Sequence, residues 1–419
     1  MKGTVHVVGA GLAGLSAALH ARAQGRAVKL YEGAGQAGGR CRSYHDTRLD
    51  RVIDNGNHLV LTGNTSVQDY LKLAGAPDAL EAAPSADFPF VDIETGERWV
   101  VRMNDGPFPW WPLAKDRRPA GVGVGDMLRA GRILMAGPQD TIASVCGSKG
   151  YAHSRFWEPM SLAVMNLPPE RASAKLMRAT ALEAWRDGRL ARPMFAPQGL
   201  GAALIDPALQ TLEAQGAPCR YGQLLRTIER EDDRITKLVF ARGEPVEVAP
   251  GDDVILALPP HRLADILPDI EVPEEASSIL NAHFVVGAEN IPKTAPRLMA
   301  TVNAMTQWIF VKGDIVSLTI SAAEYVDGAE GQDDVILKRL WSETKKALQL
   351  APDLTHQAVR LVREKRATFL QTPENTQRRP QQRTRIRNLF LAGDFVDTGL
   401  PATIESAVRS GERAARFAA

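Results

Sequence analysis

Cysteine is scarce: 419 residues hold only Cys41, Cys146 and Cys219. They are odd in number and scattered, with no C-x-x-C and no metal-like spacing. That excludes a disulfide framework and a thiolate metal centre, and it points to reduced thiols in a cytoplasmic protein. A surplus of one charge is also missing. Fifty Lys and Arg face 49 Asp and Glu, a net +1, which gives no electrostatic case for nucleic acid. No run of 18 apolar residues occurs, so no segment reads as a membrane span. The chain starts almost directly on its first strand, leaving no room for a signal peptide. What is abundant is core material, 44% hydrophobic residues, enough for two domains or one large composite.

The strongest pattern lies in the first forty residues. Val5 to Val8 reads as a buried parallel strand and runs into Gly9-Ala10-Gly11-Leu12-Ala13-Gly14. Gly9 makes the tight turn, Gly11 lets the backbone approach a pyrophosphate, and Gly14 with Ala18 lets the helix pack close to the sheet. The helix start offers free N–H groups and a positive dipole end, and the helix closes near Gly25. Val28 to Tyr31 form the next strand, and Glu32 at its end can accept from ribose hydroxyls. An acid there argues against a 2′-phosphate, hence against NADP. Gly38-Gly39-Arg40 follows as a second phosphate-approach device or an ordinary surface turn.

Further on, Asp54-Asn55-Gly56-Asn57-His58 sits between a strand-like entry and an apolar exit. It reads equally as a ligand-facing loop or as an Asx-type turn with a hydrogen-bonded His. Residues 66 to 74 form a short helix ending at Gly75. Phe88-Pro89-Phe90, Trp99 and Phe108-Pro109-Trp110-Trp111-Pro112 mix aromatics with prolines. They read as irregular segments that line a pocket or pack under an insertion. Gly121 to Gly125 reads as a loop and not as a second nucleotide site. Asp126 caps a helix over Met127 to Ala136. Its Leu128, Ile133, Leu134 and Met135, with Arg129 and Arg132, suit either a membrane surface or packing on the core.

Leu225 to Glu231, Ile235 to Ala241 and Val246 to Val248 suggest a small antiparallel layer. Asp253 to Leu258 reads as another buried parallel strand. Thr306 to Val311 and Ile315 to Ser321 flank Lys312-Gly313-Asp314 as a hairpin, and Asp333 to Leu348 is an amphipathic helix. Gln371 to Arg387, with five arginines, reads as a solvated connection. The chain closes on a strand ending at Gly393-Asp394, a loop, and a helix with Pro401 in its opening turn.

Gly9-x-Gly11-x-x-Gly14, Glu32, Gly38-Gly39-Arg40 and Gly393-Asp394 with its helix together resemble the FAD-dependent amine oxidase and phytoene desaturase superfamily. Ile53 to His58 and Asp397 to Glu405 resemble its squalene-associated branch, the hydroxysqualene dehydroxylases. Phe88 to Phe90, Arg98-Trp99 and Pro109 to Trp111 fit the same branch. The resemblance implies FAD, a long isoprenoid substrate and an α/β fold. That fold pairs a Rossmann-type FAD-binding domain with an interleaved α+β substrate domain of mixed sheet and helices. The segment order predicts residues 1–73, 194–272 and 366–419 for the first and 74–193 and 273–365 for the second.

Carried over residue by residue, Gly9 to Gly14 face the pyrophosphate and Glu32 the adenosine ribose. Gly38, Gly39 and Arg40 reach the phosphate and ribityl region, and Gly56, Asn57 and His58 lie near the isoalloxazine. Leu225 presents backbone groups to the adenine, and Gly393-Asp394 binds ribityl or phosphate hydroxyls. Pro401, Ala402 and Thr403 cap the pyrimidine edge, with the positive end of the helix at the flavin.

The implied reaction is reductive removal of a hydroxyl from hydroxysqualene to give squalene, in hopanoid biosynthesis. It needs help for the departing hydroxyl and a dry, aromatic-lined cavity. His58 is the first candidate acid, then Asp54 and Glu405. Within flavoenzymes an isoprenoid desaturase or an amine oxidase is the alternative. The second would want a catalytic Lys beside the flavin, and Lys312 falls at a hairpin tip, which is wrong for it. A flavin-bound lipid carrier without turnover is the remaining alternative. No metal is expected. The expected location is cytoplasmic, with peripheral contact at the inner membrane face.

Overall fold

A computed structural model describes residues 3–418. Its first layer is a five-stranded parallel sheet in the order Cys219–Arg220, Ala27–Tyr31, Thr4–Val8, Asp253–Leu256, Leu389–Leu391. The strands are near-continuous apolar runs because both faces are covered. Val8 pairs with Tyr31 and Leu256, and Leu256 with Leu391. Register therefore brings Gly9, Glu32 and Ala392-Gly393-Asp394, from opposite ends of the chain, to the same carboxyl edge. That edge is where open α/β sheets bind ligands.

Helices Leu12–Ala23 and Ile404–Phe417 cover one face. They approach so closely that a Cβ on Gly411 would stand 2.1 Å from the Ala13 carbonyl oxygen, which requires glycine there. The other face carries the antiparallel layer Leu225–Glu231, Arg234–Phe240, Val246–Glu247, with Phe240 packed 4.9 Å from the Tyr31 ring.

The second large layer is a seven-stranded sheet. Its order is Ala358–Phe369, Ala276–Val285, Ile315–Ser321, Trp308–Lys312, Leu298–Val302, Asp87–Asp92, Arg98–Arg102. It is antiparallel except where Leu298–Val302 meets Asp87–Asp92. Alternation divides its central strands. Leu280, Ala282, Phe284, Val316, Leu318 and Ile320 pack under helix Asp333–Leu348 through Ile336, Leu340 and Trp341. Each such side chain contributes about 1.5–3 kcal/mol when fully buried. Asn281, His283, Ser317 and Thr319 take the opposite face.

Four expectations are corrected. Phe88-Pro89-Phe90 is a regular strand paired with Arg98–Arg102, and Phe88, Phe90, Trp99 and Trp111 belong to a packed core with Phe156 and Trp157. Pro89 is tolerated because the parallel neighbour joins only at Phe90, so its missing N–H interrupts no pairing on that side. Asp126 does not open a helix at Met127. The helix is Val124–Ala130, and Asp126 in its first turn accepts from the Gly123 N–H before a 3-10 turn continues over Gly131–Met135. The connection 371–387 is not solvated throughout. Arg379 is buried and donates to the carbonyls of Asp394, Phe395, Val396 and Leu400, fixing the loop after the last strand. Finally, the last helix starts at Ile404 and not at Pro401, because the Thr403 hydroxyl caps the Ser406 N–H.

Candidate active site

The carboxyl edge of the parallel sheet is built to take an anion. Gly9 has a φ of +107°, and a Cβ on Gly14 would lie 1.8 Å from the Gly9 carbonyl oxygen. Only glycine satisfies both. A Cβ on Gly11 would meet nothing within 4 Å, so the backbone there borders open space. Gly11 supplies no side-chain cap to helix Leu12–Ala23, and the opening amides have no acceptor among the described residues. Glycine backbone, free amides and a helix N-terminus are the donor set a pyrophosphate needs.

Glu32 braces this loop, one carboxylate oxygen accepting from Ala10 N–H at 2.8 Å and the other from Ala34 N–H at 2.8 Å. Gly38 donates to the Ala10 carbonyl at 2.8 Å, which lays the second glycine turn against the first. Arg40 then reaches Asp394 at 2.7 Å, joining the amino-terminal and carboxyl-terminal motifs. Leu225 is buried nearby with its carbonyl engaged by Arg262. The Ala402 N–H is taken by Gln371 Oε1 at 2.7 Å.

From this edge the chain passes Asn55-Gly56-Asn57-His58 to the polar face of the seven-stranded sheet. Asn57 Nδ2 donates to Thr319 Oγ1 at 3.0 Å, and Thr319 donates to Asn281 Oδ1 at 3.1 Å. A cavity of about 70 Å³ opens beside this contact. Asp54, His58, His283, Lys312, Arg297 and Ser317 supply its polar wall, and Leu200, Phe195, Phe310 and Ile315 its apolar one. None of Phe88, Phe90, Trp99, Phe108, Trp110 and Trp111 lines it; its aromatic side chains are Phe195 and Phe310. The larger aromatic cluster packs within the core instead.

The candidate acids separate by environment. His58 Nδ1 donates to the Gly56 carbonyl at 3.0 Å. Burial pushes its pKa down, against the smaller opposite pull of that hydrogen bond. A neutral His58 with Nδ1 protonated presents a lone pair at Nε2, so it accepts a proton and has none to give. Asp54 Oδ1 accepts from the Leu200 N–H at 2.8 Å and from the Ser43 hydroxyl at 2.5 Å, while Oδ2 faces Lys312 Nζ at 4.0 Å. Gly199, with φ at +103°, leaves the room this cluster needs. Glu405 is not in the cavity. It is buried, accepting from the Ser66 and Val67 amides and pairing with Arg409 at 2.8 Å. Lys312 is the reverse case. It ends a hairpin strand, yet its side chain lines the cavity, which overturns the view that a hairpin position removes it.

His283 was missed altogether. The available signal was alternation: Asn281-x-His283 and Ser317-x-Thr319-x-Ser321 place polar side chains on one face of otherwise apolar strands.

A profile of flavin-containing amine oxidoreductases matches residues 12–418. The chain is 38% identical over 419 residues to the hydroxysqualene dehydroxylase of Sinorhizobium fredii, covering 100% of this chain and 99% of that protein. It is 37% identical over 416 residues to the enzyme of that name from Rhodopseudomonas palustris, covering 99% and 98%. An oxidoreductase from Methanosarcina mazei shares the fold with a TM-score of 0.74 at 13% identity, covering 97% of this chain and 98% of that one. This α/β chain is therefore an FAD-dependent oxidoreductase that belongs to the flavin-containing amine oxidoreductase family and, within it, to the hydroxysqualene dehydroxylases.

Proposed function

We propose that the chain removes the hydroxyl of hydroxysqualene reductively to give squalene. The observation that carries this reading is identity of 37–38% to enzymes of that name, covering 99–100% of this chain and 98–99% of theirs. Proteins named as desaturases are similar at only 22% identity. Reduced FAD, when bound, supplies a hydride to the carbon that loses oxygen.

The chain's own residues do the rest. Gly9 to Gly14, Gly38, Gly39 and Gly393 hold the pyrophosphate and ribityl region at the sheet edge, with Glu32 stiffening the loop beside the adenosine. Arg40 and Asp394 close over the same region. Gly56 to His58 and Pro401 to Thr403 border the flavin ring, and Leu225 borders the adenine. Lys312, an ammonium on the cavity wall, gives its proton to the departing oxygen, and Asp54 holds it in place. Pockets for small molecules run to about 300–1,000 Å³. A cavity of about 70 Å³ therefore receives the hydroxyl-bearing end while the chain of the substrate extends beyond it.

We assign residues 1–73, 194–272 and 366–419 to the FAD-binding unit and 74–193 and 273–365 to the substrate unit. The distribution of strands between the two large sheets supports this division, except that strand Ala358–Phe369 of the seven-stranded sheet runs past residue 366. No helix among the described residues is long and apolar enough to cross a membrane. Peripheral contact is supported by another feature. Phe108, Trp110, Leu113, Leu128, Leu134 and Met135 are exposed large apolar side chains, flanked by Arg117, Arg129 and Arg132.

The test is anaerobic. Enzyme with chemically reduced FAD is mixed with hydroxysqualene, and the oxidised flavin absorbance is followed while squalene is assayed. Reoxidation with squalene formed is expected. No reoxidation, together with bleaching of the oxidised enzyme by squalene or phytoene, would make it a desaturase.

A further inference from the structure

We propose that His283 is a catalytic residue that donates a hydrogen bond from Nε2 to the substrate hydroxyl as it leaves, with Ser317 setting which ring nitrogen carries the proton. The inference rests on the dehydroxylase reading and adds a residue to it.

The position comes from strand pairing. His283 and Ser317 are directly opposed on neighbouring strands, and Asn281 and Thr319 are the next opposed pair on the same face. Asn281 Oδ1 accepts from the Asn57 amide N–H at 3.4 Å, so this face abuts the Gly56–His58 loop. His283 and Ser317 both line the cavity beside His58, Asp54 and Lys312.

The hydrogen-bond inventory is incomplete in an informative way. His283 is 1% exposed, its Nδ1 lies 2.8 Å from Ser317 Oγ, and its Nε2 has no partner among the described residues. A buried polar nitrogen left unsatisfied is destabilising, so a partner from the ligand is the natural completion. Ser317 Oγ has no other partner among the described residues. Its proton is satisfied by donating to Nδ1, and the imidazole proton then resides on Nε2.

The electrostatics agree. Burial pushes the His283 pKa down to about 4, with Asp54 and Asp46 opposing and Lys312 assisting. Arg360 stands opposite it on the other neighbouring strand, paired with Asp46, and His58 shares the cavity. A neutral imidazole donates a hydrogen bond without surrendering its proton, which suits an oxygen gaining negative charge. In the step, the C–O bond breaks with its electron pair moving to oxygen, and the Nε2–H···O bond shortens. The oxygen takes a proton from the Lys312 ammonium and departs as water, leaving a neutral amine. Reduced flavin, when bound, would supply the hydride that replaces the oxygen at carbon.

The test uses the holoenzyme of His283→Phe, His283→Gln and Ser317→Ala. Loss of one donor to a developing oxyanion costs about 100-fold in turnover. His283→Phe should lose about that much on hydroxysqualene, while squalene affinity and the flavin spectrum stay unchanged, because squalene has no hydroxyl. His283→Gln keeps an N–H donor and should recover part of the rate. A structural or flavin-facing role would instead change squalene binding or the flavin spectrum, and either result overturns the proposal. So does turnover of His283→Phe close to wild type. Imidazole ¹⁵N spectra of the wild type decide the tautomer without any substrate: Nε2–H is expected at pH 7, and Nδ1–H overturns the proposal. If wild type fails to convert hydroxysqualene, the substrate reading falls, and the ¹⁵N result still judges the His283–Ser317 geometry by itself.

Discussion

Arg40 Nη2 stands 2.7 Å from Asp394 Oδ1, a bond between residues 354 apart in the chain. The same guanidinium donates to the Ala367 carbonyl, and the Asp394 carbonyl is held by Arg379. The contact fastens the second glycine turn to the loop after the last parallel strand. Arg40 is 40% exposed and Asp394 9%, so solvent screens the pair in part. Asp394→Asn should weaken FAD retention by about 1–2 kcal/mol, about tenfold in affinity. The apparent FAD dissociation constant checks this. Unchanged retention would mean that Arg379 alone sets the loop.

Glu405 bridges two helices instead of serving the cavity. Its carboxylate accepts from the amides opening helix Thr65–Leu73 and pairs with Arg409. Removing one partner of a buried pair costs about 3–5 kcal/mol. Arg409 also pairs with Glu183, which places Glu405→Ala at the low end. A clear fall in melting temperature is expected, with turnover per bound flavin unchanged. Loss of turnover at full stability would return Glu405 to the list of acids.

These two residues mark what the sequence disclosed. Gly9 to Gly14 and Glu32 were legible because a strand, a tight turn and a helix start obey local rules. Glu405 reads as an acid candidate because it follows the loop expected to cap the flavin, but its actual partners, Ser66 and Val67, lie 339 and 338 residues away. Arg379 reads as solvated in sequence because its four carbonyl acceptors belong to a loop whose path depends on tertiary contacts. His283 was hidden because its meaning requires knowing that Ser317 sits opposite. Pairing register is a property of the assembled sheet.

The exposed apolar face tests the membrane reading. Helix Val124–Ala130 packs on the turn Trp111–Leu113 and on Gly131–Met135, and Leu113, Leu128 and Met135 on these three adjoining elements are exposed. Full burial of a large apolar side chain contributes about 1.5–3 kcal/mol. Replacing Phe108, Leu128 and Met135 together by Ser should weaken sedimentation with anionic vesicles at least tenfold. Turnover of detergent-dispersed substrate should be unaffected. Equal sedimentation of both proteins would remove this face from consideration.

As the proposed proton donor, Lys312 is distinguished from a merely packed residue by its charge on the cavity wall. Lys312→Met should lower turnover about 100-fold, the upper range for general acid catalysis being about 10⁴. FAD should stay bound, because Lys312 faces Asp54 at 4.0 Å on the cavity wall and not the glycine turns of the phosphate edge.

Acid pH offers an independent measurement on the same cavity. His283 is held neutral when folded, with its pKa pushed down to about 4, whereas an unfolded His titrates at about 6.5. Between these values the unfolded chain binds the extra proton, so stability rises with pH there. Stability is fully present above about pH 6.5 and is lost as pH falls towards 4. The integrated effect is about 3 kcal/mol. His58, His6 and His20 are displaced in the same direction by burial and add to the slope. Denaturant unfolding at pH 7 and pH 4.5 should therefore show a smaller acid loss in His283→Gln than in wild type. Equal losses would mean that His283 is already charged in the folded protein, with its Nε2 proton paired to a carboxylate.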